Sequence, residues 1–570
     1  MDFQRYLLIG SIAALSFMLL TEWVQFKEQN SGKDVVAAYQ LQQGNSTNGA
    51  IGVGEISDTP VPASSQISSD SDVDIPSFEQ PASNKEVATS SVVRRIKVKT
   101  DMLEVDINPL GGDIVFAAFP KHYAELDTPD IPFTLLEQSN RLTYIAQSGL
   151  IGVNGIDTAK GRALFSSTSA EYVLGDNDNE MAVDLIFQDD SAVSITKRFH
   201  FTRGEYLVGV EYIINNNSPQ SWTGGMFGQL KRDNSPDPSA DTSGMGLAPY
   251  LGAAINLPDE PYKKISFDDI EEKKFPKQNI EGGWVAIIQH YFTSAWIPDP
   301  QQTHAYSMRK TKDGANIAGF TSPQITVAAG AIGSVESKLY IGPKDQYRLE
   351  EISPGLELTV DYGILWWIAQ PLFWLLTKLH GFLGNWGFAI IAVTILVKAA
   401  FFQLNAKAYT SMANMRKVQP KLTALRERYA DDKQKQSQEM MALYKKEKIN
   451  PLGGCLPILV QMPVFMALYW VLMESVELRH APFIGYIKDL SVMDPYFILP
   501  LIMGVSMFVQ QRFNPPPPDP MQAKIMQWMP VMFTFFFLFF PAGLVLYWVV
   551  NNTLSIAQQY LITKRIEASD

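Results

Sequence analysis

The stretch FAIIAVTILVKAAFF, Phe388 to Phe402, decides how the second half of this chain is read. It is apolar enough to cross a membrane, yet it holds Lys398 near its end. On insertion scales a lysine at the centre of a crossing costs about 2.5–3.5 kcal/mol, and more when it faces lipid. Something must compensate that charge. Thr394, four residues before it, and Asn405, seven residues after it, lie on the same helix face and make that face polar.

Working outward, Trp386–Leu404, Leu456–Met473, Pro495–Gln511, Ile525–Phe540 and Ala542–Ile562 are each close to the ~20 residues that span a bilayer. The last two meet at the turn Pro541-Ala542-Gly543 and read as a tight hairpin. At the other end, Tyr6–Leu20 follows Arg5 and is succeeded by Thr21, Glu22 and Trp23, which offer no small-residue cleavage site. It reads as an uncleaved anchor, residues 1–27. The expectation is a polytopic α-helical membrane protein with six transmembrane helices, five of them in the core. A further run, ILWWIAQPLFWLLTKLHGFL, is excluded as a seventh crossing by charge. The loop 406–449 carries 11 Lys+Arg against 5 Asp+Glu, and such loops stay in the cytoplasm. Six crossings keep that loop, Arg5 and the Lys564-Arg565 tail inside. Pro371 with Trp366, Trp367 and Trp374 instead suits an interfacial helix within the connecting region 344–385.

The front of the chain is of another kind. Residues 28–355 hold 26 Lys+Arg and 43 Asp+Glu, whereas residues 356–570 hold 19 and 14, in a chain of net charge −12. Residues 28–91 are rich in Ser, Asn, Gly, Asp and Pro and read as a flexible linker. From 92 to 343 short alternating runs such as IKVKTDMLEVDI and YLVGVEYII are broken by turn signals like NPLGG and NNNSPQ, the pattern of a β-sandwich. Cys455 is the single cysteine, so no internal disulfide and no multi-cysteine metal site exists.

This topology gives each intramembrane polar residue a depth. Lys398, Thr394 and Asn405 in the crossing 386–405, then Gln461, Ser506, Gln510, Gln511 and Gln527, and finally Asn551, Ser555 and Gln558 in the region 450–562, fall in the middle or the inner part of their crossings. The outer halves, WGFAIIAV, VFMALYWVLM, ILPLIMGV, TFFFLFF and LVLYWVV, are almost unbroken hydrocarbon. Polar stripes confined to one leaflet imply a wet groove open to the cytoplasm and closed outside. Two blander readings stand beside it. Lys398 snorkels to the inner interface, although nine residues of helix separate it from Lys407, ~13 Å at 1.5 Å per residue. Alternatively, the Ser, Thr and Asn side chains are ordinary helix–helix partners.

No G-x-x-x-x-G-K-[ST] loop and no H-E-x-x-H is present, and there are 6 histidines. Ser506 lacks a helix-borne histidine in the neighbouring crossings, which argues against a serine protease. The loop 406–449 reads as a helical hairpin. Met415, Val418, Leu422, Leu425 and Tyr429 keep coiled-coil spacing, Asp431-Asp432 turns the chain, and Met440 and Tyr444 share a face of the second helix. Pro420 is expected to break or restart the first helix. Asn450, Gly453, Gly454, Pro457 and Pro463 read as structural residues at a helix entry.

The block NPLGGCLPILVQMPVFMALYW, Asn450 to Trp470, closely resembles the signature of the YidC family of membrane insertases, whose relatives serve mitochondria and chloroplasts. AYTSMANMRKVQPKLTALRERY, DDKQKQSQEMMALYKKEKINPLGGC, DPYFILPLIMGVSMF, DPMQAKIMQWMPVMFTFFF and PAGLVLYWVVNNTLSIAQQ match in register, densely over 363–562. The order of anchor, exported domain and core is that of the Gram-negative members. The resemblance implies a bacterial inner-membrane protein with both termini cytoplasmic and a periplasmic β-supersandwich, similar in fold to sugar mutarotases. It implies that nascent membrane proteins are inserted and helped to fold in the phospholipid bilayer, alone or with the Sec translocon and its accessory components. It further implies that the hairpin docks substrate, ribosome or signal-recognition components. The short tail 563–570 makes tail-mediated ribosome docking unexpected. It implies a positive groove residue, which falls at Lys398 where the best-known members have arginine; lysine keeps the charge and loses the planar donor fork. Thr394, Gln461 and Tyr547 match positions that line the groove. No cofactor, no metal and no enzymatic activity are expected. Two other classes remain open: a transporter of lipids or small solutes, and a membrane-anchored periplasmic carbohydrate-binding protein, although no His/Glu catalytic pair stands out.

Overall fold

The computed structural model describes residues 75–76, 94–158, 161–189, 191–240, 249–447, 456–514 and 520–568. The anchor Tyr6–Leu20, nearly all of the linker, and Asn450, Gly453, Gly454 and Cys455 lie outside the described residues. The chain divides into two compact units, one containing residues 411–453 and the other residues 65–410 and 454–570.

Strands run from Ile96 to Pro343 and build an 11-stranded and a 9-stranded sheet among the described residues. Alternation makes them. Ile96–Lys99 and Glu104–Asn108 pair antiparallel with every second side chain buried. Val193–Thr202 and Leu207–Asn216 do the same in the other sheet. One parallel pairing, Ile96–Lys99 with Glu171–Val173, departs from the antiparallel rule. The turn at Gly111 and Gly112 needs φ of 80° and 63°, which glycine adopts without a Cβ penalty. The sheets meet face to face. The Tyr144 hydroxyl lies 2.6 Å from Ser294 Oγ, Ser148 Oγ lies 3.2 Å from the Tyr212 hydroxyl, and Trp296 Nε1 donates to Gln229 O at 3.1 Å. Buried rings therefore carry their polar ends paired across the core.

The helices in chain order are α1 (Phe267–Glu271), α2 (Gln346–Ile352), α3 (Trp366–Leu383), α4 (Trp386–Ala400), α5 (Phe402–Arg428), α6 (Lys433–Lys446), α7 (Leu456–Glu474), α8 (Ile498–Phe513), α9 (Pro520–Phe537) and α10 (Ala542–Ala568). Caps set their limits. Asn385 Oδ1 accepts Phe388 N at 3.1 Å and starts α4. Asp494 accepts Tyr496 N and Leu499 N, and with Phe497 at φ 57° it delays α8 to Ile498, three residues into the apolar run. In α3, Ala369, Leu372, Phe373 and Leu376 are buried while Trp366, Trp367 and Trp374 are exposed.

Two expectations change. The apolar run 386–404 is not one straight helix: Phe401, at φ −90° and ψ 8°, separates α4 from α5. Among the described residues no single helix is long and apolar enough to cross a membrane, but the bent pair α4–α5 passes by length and composition. Pro420 does not break α5, which runs through it. A proline costs one backbone hydrogen bond and a kink, and the turns on either side hold. Within the hairpin unit, buried Val418 and Leu422 pack with Met415, Met440, Leu443 and Tyr444. Leu425 and Tyr429 stay half-buried outside that cluster. Asp432 Oδ1 accepts Lys435 N at 3.0 Å and starts α6, as the Asp431-Asp432 turn anticipates.

Candidate substrate groove

Lys398 sits in the last turn of α4 with 9% of its surface exposed. Its ammonium donates to Ser555 Oγ of α10 at 2.7 Å and to Gln461 Oε1 of α7 at 3.4 Å. Ser555 passes its own proton back to Asn551 O at 2.7 Å, which leaves its lone pairs facing the lysine. Gln461 Nε2 donates to the Tyr547 hydroxyl at 3.4 Å and to Asn551 Oδ1. Five of the seven groove candidates, Lys398, Gln461, Tyr547, Asn551 and Ser555, thus form one hydrogen-bonded cluster drawn from three helices.

The other two stand apart. Thr394 Oγ1 donates back to Ile390 O at 2.7 Å within its own helix, which hides its polarity from the cluster. Asn405 is buried at the start of α5 and lines, with Lys398 and Gln461, a pocket of about 240 Å³, open mouth included, whose other walls are Val397, Phe401, Leu404 and Val460. The pocket is small and mostly apolar, with the lysine and two amides in its lining.

A second polar seam escapes the sequence reading. Asn552 Nδ2 donates to Ser506 Oγ at 3.0 Å, and Gln559 Nε2 donates to Phe513 O and Asn514 Oδ1, joining α10 to the middle and the end of α8. The signal was present as the doublets Asn551-Asn552 and Gln558-Gln559. The first member of each faces the lysine side and the second lies about 100° around the helix, toward α8. Gln558 donates to Phe402 O at 2.9 Å, and Gln511 to Met526 O. Gln527 is exposed.

No carboxylate pairs with Lys398 among the described residues; its recorded partners are neutral oxygens. Neutral acceptors leave no counter-ion to compete with an incoming anion. No cluster of three or more His, Cys, Asp or Glu able to hold a metal exists among the described residues. The arrangement can attract and orient an anion; it holds no nucleophile–base pair.

A β-rich body followed by a helical core with a buried cation is the architecture of the chain, and its similarity to known proteins gives the class. The family model described as the YidC periplasmic domain matches residues 95–375, and that described as 60Kd inner membrane protein matches residues 378–569. Membrane protein insertase YidC of Cellvibrio japonicus is 54% identical over 573 residues, covering 100% of both chains. Its counterpart in Pseudomonas putida strain GB-1 is 53% identical over 571 residues, covering 100% of this chain and 99% of that one. A solved structure described as an active YidC insertase with its first transmembrane domain resolved aligns over 83% of this chain and 93% of its own, at 19% identity and a TM-score of 0.36. The chain belongs to the YidC family of membrane protein insertases, inner-membrane proteins with a β-rich periplasmic domain. Its relatives are named for insertion, not for a catalysed reaction.

Proposed function

We propose that this insertase works through a hydrated groove that opens to the cytoplasm and ends at Lys398, within a six-crossing topology whose termini face the cytoplasm and whose β-supersandwich is exported. One observation carries the reading: Lys398 is nearly buried among helices, yet its partners are Ser555 and Gln461, both neutral. A charge in that position without a counter-ion suits a passing anionic ligand. Thr394, Asn405, Tyr547 and Asn551 complete the wall.

A nascent apolar segment slides along the Met-, Phe- and Leu-rich faces of α7 and α9, whose flexible side chains adapt to varied clients. Its short polar or acidic flank enters the groove, drawn by the ammonium, so the unsolvated distance it must cross is shortened. Partition of the apolar segment into lipid, and the membrane potential acting on acidic flanks, then drive release outward. The basic hairpin 406–449 docks substrate, ribosome or signal-recognition components, and insertion proceeds alone or with the Sec translocon.

The test uses cysteines placed at 394, 398 and 461 in intact membranes. Thiol reagents that cannot cross the bilayer label all three from the cytosolic side. Failure to label removes the groove.

A further inference from the structure

We propose that Lys344 and His290 of the β domain are positioning residues for the insertase core, gripping the outer end of α7 and fixing the height and rotation of the helix that carries Gln461. The proposal deepens the groove reading and rests on it only for the role of Gln461.

The last four carbonyls of a helix have no partner inside it and carry the negative end of its dipole. At the end of α7 the β domain supplies partners. His290 Nε2 lies 2.9 Å from Met473 O, a contact in which the ring nitrogen donates. Lys344 Nζ donates to Glu474 Oε2 at 2.9 Å and to Thr359 O at 3.2 Å. The ion pair is dry, with side-chain exposures of 2% and 6%. The exported domain therefore caps a core helix, across 130 residues of sequence for the Lys344–Glu474 bond.

Both gripping residues are themselves held. Lys344 directly follows the strand Ile332–Pro343; its backbone N–H donates to Tyr291 O at 2.8 Å, and the next residue, Asp345, caps α2. His290 turns between Val285–Ile288 and Phe292–Pro298. Its backbone N–H donates to Asp237 Oδ2 at 2.6 Å, and its ring stacks on Tyr291 at 3.8 Å. Just beyond α7, Arg479 donates to Ala124 O at 2.9 Å and lies over the rings of Phe133 and Phe292. A rigid sheet thus reaches a helix end through short, buried, directional bonds, the kind of support that fixes a helix rather than merely touching it.

Removing one partner of a buried ion pair leaves an uncompensated charge, whereas removing both is far milder for stability. This separates grip from mere stability. The experiment uses full-length protein in proteoliposomes, in a Cys455→Ser background, with spin labels at Lys338→Cys on the β domain and Ile484→Cys at the outer surface of the core. Insertion yield, thermal stability and the label–label distance distribution are read for Lys344→Met/Glu474→Gln, for Lys344→Arg and for His290→Phe. The double variant is expected to melt close to the parent, yet to show a broadened distance distribution and about fivefold lower insertion, as loss of a single charge-assisted contact allows. His290→Phe is expected to add to that loss, and Lys344→Arg to restore a narrow distribution and insertion. A double variant that inserts like the parent with an unbroadened distribution overturns the proposal. If cytosolic reagents fail to reach Gln461→Cys while the double variant still broadens and inserts poorly, the groove reading falls and the grip stands.

Discussion

Lys398 of α4 donates a 2.7 Å hydrogen bond to Ser555 of α10, tying together helices whose contact residues lie 157 positions apart. The bond explains how a lysine is tolerated at a site with so little exposure. Ser555 gives its proton to the Asn551 carbonyl one turn earlier, so its oxygen is an acceptor by construction. Gln461 supplies the second acceptor and is itself held by Tyr547 and Asn551. The ammonium is solvated by protein oxygens, and its charge is left uncancelled.

Reversing that charge separates electrostatic capture from structural support. Lys398→Glu is expected to lower insertion of clients with acidic exported flanks by about tenfold or more, the scale of a few kcal/mol between like and opposite charges at reduced dielectric. Clients with neutral flanks should lose about threefold or less. Insertion into liposomes containing only this protein reads both. Equal losses for the two client classes would sink the capture idea.

Ser555→Ala deletes one acceptor and keeps the lysine. A hydrogen bond to a charged group contributes about 1.5–3 kcal/mol, so thermal stability in detergent should fall by an amount of that order. The preference for acidic flanks should persist, since Lys398 itself and its Gln461 partner are retained. If preference vanishes along with stability, Ser555 does more than hold the lysine.

The β domain contains a second buried lysine with a different task. Lys197, 0% exposed, donates to Gly111 O, Gly112 O and Ser148 O at 3.0, 2.7 and 3.2 Å, and faces the rings of Phe199 and Tyr212. It staples the NPLGG turn to the facing sheet. Burial pushes its ammonium down to about 7, against the pull of Asp113. Lys197→Met takes the lysine donor from Gly112 O, while Gly111 O and Ser148 O keep Arg162, and should cost about 1–3 kcal/mol. Hydrogen exchange in the strand Val193–Thr202 should accelerate accordingly; unchanged protection there would show that the turn needs no staple.

Local pattern was readable where the structure obeys a local rule. IKVKTDMLEVDI gives the strands Ile96–Lys99 and Glu104–Asn108 because alternation decides which face is buried. Asp432 starts α6 because a capping carboxylate acts over three residues. Lys398 stood out in the sequence because a charge inside an apolar run has few explanations. What stayed hidden was set by distant partners. Nothing in IGPKDQ or VLMESV announces that Lys344 will meet Glu474, because both look like ordinary charged residues at element ends until the fold buries them together. Thr394 shows a local rule as well: its hydroxyl bonds back to Ile390 O in its own helix, as threonine often does. Helix limits also slipped, since α8 waits for the Asp494 cap and the run 386–404 bends at Phe401.

The junction between the β domain and the core should be sensitive to acid, and His122 is where that is most readily tested. The ring lies near Phe119, Tyr206 and Phe292, edge-on to the first and last, with Arg479, His480 and Lys121 as charged or titratable neighbours. Burial first, and then those positive groups, push its pKa from 6.5 down to about 4. His480 is pushed down by its own burial and by Arg479. The docked form therefore binds fewer protons than an opened one. Its stability is fully present above about pH 6.5 and is lost as pH falls toward 4, by on the order of 2–3 kcal/mol for His122 alone. His122→Phe keeps the aromatic contacts and removes the titration, so it should flatten part of the decline, leaving the share of His480. Thermal midpoints of the full chain between pH 7.5 and 4.5 give the comparison. Parallel curves for the parent and His122→Phe would mean that protonation of this ring is not what loosens the junction.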